Sequence, residues 1–94
     1  MDEEEHDVAP DWDQLEQDLR WCLIDGRGVD GRDVLFEAVQ MTDPVRRRAA
    51  LRNGFVMSVR DEDRVANFVR CERADAPRLA EIARLIVGLG PRSG

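Results

Sequence analysis

Lysine and tyrosine are missing from this chain, and histidine occurs once, as His6. All fourteen basic residues are therefore arginine. Both missing types have AT-rich codons, so their absence is read as the codon bias of a GC-rich bacterial coding sequence rather than as a device of the protein. Cysteine occurs only as Cys22 and Cys71, with no C-x-x-C pair. Zinc needs about four ligands at short spacings, which these residues do not supply, so no metal is expected. Serine occurs only as Ser58 and Ser93, neither in a G-x-S-x-G elbow. Neither cysteine has a histidine near it in sequence, and both read as small core hydrophobes. No uninterrupted apolar run approaches the ~18 residues of a membrane span. The start, MDEEEHD, has neither the basic nor the apolar region of a signal peptide. A cytoplasmic protein with free thiols and no cofactor is the expectation.

What is present is a chain of 94 residues, 43% of them apolar, the size and composition of one folded domain. Its net charge of −6 is unevenly placed. Residues 1–20 hold nine acids and one arginine, a sum of −8; residues 21–94 hold eleven acids and thirteen arginines, a sum of +2. An acidic whole argues against general nucleic-acid binding, which needs cationic groups for the phosphates.

The punctuation predicts helices. Residues 1–9 read as a disordered acidic tail, 10–90 as one helical domain and 91–94 as a second tail. Asp11 and Gln14 form a capping box before the stripe Trp12, Leu15, Leu19, Cys22 and Leu23, and Gly26 stops that helix. Trp21 falls off the stripe, so it packs on a neighbouring element or marks a binding surface. GRGVDG, residues 26–31, reads as a flexible turn before a helix over about 32–41. Thr42 or Asp43 caps the next helix, Pro44 fits its first turn, and Asn53–Gly54 ends it. Val45, Ala49 and Leu51 are expected to face inward, Arg48 and Arg52 to snorkel from the edges of that stripe, and Arg46 and Arg47 to point into solvent.

Residues 55–60 alternate with strand period, and a hairpin over 55–71 would give an α+β alternative. A helix over 61–72 fits better. Val65, Phe68 and Val69 then share a face, and Asp61, Glu62 and Asp63 lie where the helix dipole favours acids. Asp75 caps the last helix, with Pro77 in its first turn. The apolar residues Leu79, Ile82, Ala83, Leu85, Ile86, Val87 and Leu89 cover more than half of its circumference, which predicts a central rod. The expected fold is all-α, a compact bundle of about five helices around that C-terminal helix.

Motifs for chemistry are sparse. GRGVDG matches G-x-G-x-x-G, but no strand precedes it and the chain cannot supply the βαβ unit the motif needs. DEDR, residues 61–64, lacks the glycine and downstream glutamate of a calcium loop. Arg46–Arg48 could meet phosphate, but in an acidic protein a partner with acidic groups is the better match.

The order of features resembles the small helical effector-associated domains of bacterial conflict systems. The resemblance rests on VLFEAVQMTDPVRRRAALR, with Asp43–Pro44 and Arg47, and on RVANFVRCERADAPRLAEIARLIVGL, with Val69–Arg70–Cys71, Pro77 and the apolar positions after it. It spans about residues 33–89. It implies a non-catalytic adaptor that couples an effector such as a peptidase to a signalling NTPase by domain–domain pairing, with a homotypic or related helical domain as partner and no catalytic residues. The expected interface residues are Arg46, Arg47, Asp61, Glu62, Asp63 and Trp21. No nucleic acid, membrane or small-molecule substrate is expected. The alternative is a small acidic inhibitor (an immunity protein, a phage anti-defence protein or a nucleic-acid mimic), which the −8 leader would serve.

Overall fold

The computed structural model describes residues 8–25 and 31–89. The acidic leader up to Asp7, the Gly26 stop, most of the GRGVDG turn and the tail at 91–94 lie outside the described residues. Within them the chain is all-α, with four helices and no strand. Helix α1 spans Trp12–Arg20 and continues as a π-helical turn over Trp21–Asp25. Helix α2 spans Gly31–Gln40, α3 Pro44–Val59 and α4 Glu62–Leu89. The count is four rather than about five because the segments expected at 61–72 and after Asp75 run on as one broken element. Asp75 itself is extended, with φ −162° and ψ 80°.

The helix starts follow the residues that cap them. Asp11 Oδ1 accepts from the Gln14 N–H at 3.0 Å, and Asp43 Oδ1 from the Val45 N–H at 3.1 Å, with Pro44 in the first helical position. Asp61 Oδ1 accepts from the N–H groups of Asp63 and Arg64, and Asp75 Oδ1 from that of Arg78. Each takes up a backbone donor that the first turn leaves unpaired. The capping box at Asp11 is only half formed. The Gln14 side chain reaches forward to Asp18 instead of back. The Asp11 N–H donates to Asn67 Oδ1 at 2.8 Å, and Asn67 Nδ2 donates to the Asp11 carbonyl at 2.9 Å. This two-way bridge ties the entry of α1 to α4, and it explains a buried asparagine on an apolar helix face.

Asn53–Gly54 does not end α3. The helix continues through 55–59, which also removes the hairpin, and stops where Arg60 turns left-handed at φ 56°. Gly54 serves a crossing instead. A Cβ there would stand 2.8 Å from Leu35 Cγ, and one on Gly31 would run into the Gly54 carbonyl and Ser58 Oγ. Gly31 is thus a buried contact at the start of α2. The two glycines let α2 and α3 approach as an antiparallel pair.

Extending α3 to Val59 also rotates its buried face. Leu51, Gly54 and Phe55 point inward, whereas Val45 is 76% exposed and Ala49 is exposed as well. Phe55 stacks on Phe68 of α4, ring centroids 4.5 Å apart, in the middle of the core. The last part of α4 buries Leu79, Ala83 and Ile86, but Leu85 is 57% exposed. It packs along one side and is not the fully surrounded rod that its apolar residues predict.

Candidate protein-docking surface

Successive outward positions of α3 are Val45, Ala49, Arg52 and Val56, all exposed. At 100° per residue they form a single stripe. Arg48 lies beside it, and Arg46 is exposed without an ion pair among the described residues. Apolar and cationic groups therefore alternate along an exposed helix face.

Beneath the stripe, Glu72 of α4 is only 3% exposed. Arg48 Nε lies 3.3 Å from its Oε2, and Arg52 Nη2 donates to its Oε1. These are the two arginines expected to snorkel. They do keep half-exposed heads, but those heads are fixed by a buried carboxylate rather than left in solvent. A buried acid with both oxygens matched holds its partners in one geometry. Next to the clamp, at the break in α4, lies a cavity of about 190 Å³ lined by residues including Pro44, Leu51, Pro77 and Leu79. It shares Val45, Arg48 and Glu72 with the open depression along the stripe.

The six residues expected at an interface do not gather in one place. Arg46 is on the α3 face. Arg47, expected in solvent, is partly buried, lines the cavity and donates to the Met41 carbonyl at 3.5 Å. Trp21, at the start of the π-helical turn, is 43% exposed and lines a separate cleft with Asp18, Asp25 and Arg64. Asp61 and Asp63 line a polar cleft with Asn67 and Arg70, and Asp61 and Glu62 also border an apolar depression with Val65, Ala66 and Val56, at the far end of the α3 stripe. The Trp21 and Asp61 clefts share Gln14 and Arg64. The predicted residues thus divide into a basic set on α3 and a mixed aromatic and acidic set around the end of α1 and the start of α4.

Three groups have perturbed chemistry. Cys22 and Cys71 are free and buried, and burial pushes both thiols up to about 11, so they are protonated at neutral pH. Asp18 is 3% exposed. Its Oδ1 accepts from Gln14 Nε2 at 2.9 Å and lies 3.7 Å from Arg64 Nε, while its Oδ2 has no partner. Burial raises its carboxyl above the ordinary range, against the opposing pull of Gln14 and Arg64. Neither Asp18 nor Glu72 stood out in the sequence, because a charged residue inside an apolar stripe reads as its edge. The Glu72 partners are 24 and 20 positions away on another helix. Among the described residues no cluster of three His, Cys, Asp or Glu could hold a metal ion, and no helix is long and apolar enough to cross a membrane. No protein-family model matches the chain, and neither a curated protein nor a solved structure matches it significantly.

Proposed function

We propose that this chain is a non-catalytic adaptor that binds another protein through the outer face of α3, coupling an effector to a signalling partner in a bacterial conflict system. One observation carries the reading: an exposed helix face where apolar Val45, Ala49 and Val56 alternate with arginines held in place from below. Exposed apolar residues rimmed by oriented charge suit protein recognition, with charge setting encounter rate and partner choice. The resemblance to effector-associated domains supplies the biological setting.

The test is co-purification with the domains encoded beside it. Arg46→Glu with Arg47→Glu is expected to abolish association. Reversing exposed Arg46 should shift stability by only about 0.5 kcal/mol; Arg47 should add a little more through its lost bond to Met41. Association that survives the reversal in a folded protein would remove the α3 face from the account. Deleting residues 1–9 should leave binding intact, whereas an acidic inhibitor would lose most of its activity.

A further inference from the structure

We infer that the partner element seated on α3 is an acidic amphipathic helix of about three turns; this rests on the adaptor reading above. The stripe from Val45 to Val56 covers eleven residue steps, or about 16 Å of helix at 1.5 Å per residue. Its apolar members are Val and Ala, small enough for a second helix to lie close, at about 8–10 Å between axes. The mode is a helix laid into a groove, with anchors recurring every three to four residues.

The charges choose the sign of that helix. Arg52 lies in the stripe and Arg48 beside it, Arg47 lines the adjoining cavity, and Glu72 is the carboxylate that faces them; Asp61 and Glu62 border only the Val56 end. Both Glu72 oxygens are taken by Arg48 and Arg52. A guanidinium carries five donors, so each retains N–H groups for an incoming carboxylate. Because Glu72 already holds them, the partner's acids meet oriented donors and less side-chain freedom is lost on binding. Nucleic acid fits less well. Phosphates recur about every 1.7 Å of duplex, whereas Val45, Ala49 and Val56 offer them nothing. A membrane surface fits less well too, since the stripe has no Trp, Phe or Leu to enter a bilayer.

The experiment uses the full chain, labelled with ¹⁵N, and a synthetic capped peptide with leucines at i, i+4, i+7 and i+11 and glutamates between them. Saturable amide shifts are expected along Val45–Val56 and at Leu79–Ala80. A peptide with lysine in place of glutamate should leave the spectrum unchanged. Val45 and Ala49 are exposed, so Val45→Asp with Ala49→Asp should keep the melting curve and weaken the acidic peptide about tenfold or more. Equal binding of the lysine peptide, or shifts confined to the Trp21 and Asp61 clefts, would overturn the inference. So would tighter binding of a single-stranded oligonucleotide, pelleting with phosphatidylglycerol vesicles, or self-association through these same residues. If the natural partner binds and is lost on Arg46 and Arg47 reversal, yet the Val45 and Ala49 changes are silent, the helix inference falls and the adaptor reading stands. If no domain associates at all, the adaptor reading falls, and the peptide titration still judges the groove.

Discussion

Asp18 and Glu72 are buried to the same degree but held in opposite ways. Glu72 has an arginine on each oxygen, whereas Asp18 has one oxygen served and one orphaned. The raised Asp18 carboxyl means that the folded state binds a proton more readily than the unfolded chain, whose value is 3.8. The Asp18 contribution therefore favours folding at low pH and is lost as pH rises above that value through the folded one. Asp18→Asn cannot ionise. Its urea midpoint minus that of the parent should rise with pH across this window and level off towards neutrality. A difference that falls with pH would mean that the Arg64 pairing outweighs burial. The thiols follow the same logic of desolvation: pushed up to about 11, they are poor nucleophiles at neutral pH.

Helix beginnings were legible because a cap is local. Asp11, Asp43 and Asp75 each act within three residues of their own position; Asp61, read only as a first-turn acid, turns out to cap in the same way. The end of α3 was not legible, because Gly54 answers to Gly31 on another helix. Cut at Gly54, the helix lacks Phe55, and its apolar residues then place Val45 and Ala49 inside. Carried to Val59, it turns those two outward and makes the surface on which the functional reading depends. In a free helix Gly54→Ala would be favourable by about 1 kcal/mol. Here both Gly54→Ala and Gly31→Ala should destabilise, by about 1–3 kcal/mol as for overpacked sites. Gly31→Ala should be the worse, since it meets a backbone carbonyl rather than the Leu35 side chain. Urea denaturation reads both, and a stabilised Gly54→Ala would show that the helices can move apart at little cost.

For the molecule as a whole, composition separated an acidic leader from a nearly neutral body, and the fold then divides the body's described surface again. A basic and apolar face runs along α3, and a mixed cleft of Trp21, Asp18 and Arg64 lies by α1. The sequence pattern identified Arg46 as surface but spread the interface over residues that fold into separate clefts, because a linear reading cannot tell which exposed groups adjoin. Amide hydrogen exchange of the chain, alone and bound to its partner domain, distinguishes these surfaces in one measurement. Docking on α3 predicts new protection over residues 44–56 and 76–80, with the segments around Trp21 and Asp61 unchanged. Protection confined to residues 1–9, or to the Trp21 and Asp61 clefts with α3 still exchanging freely, would contradict it.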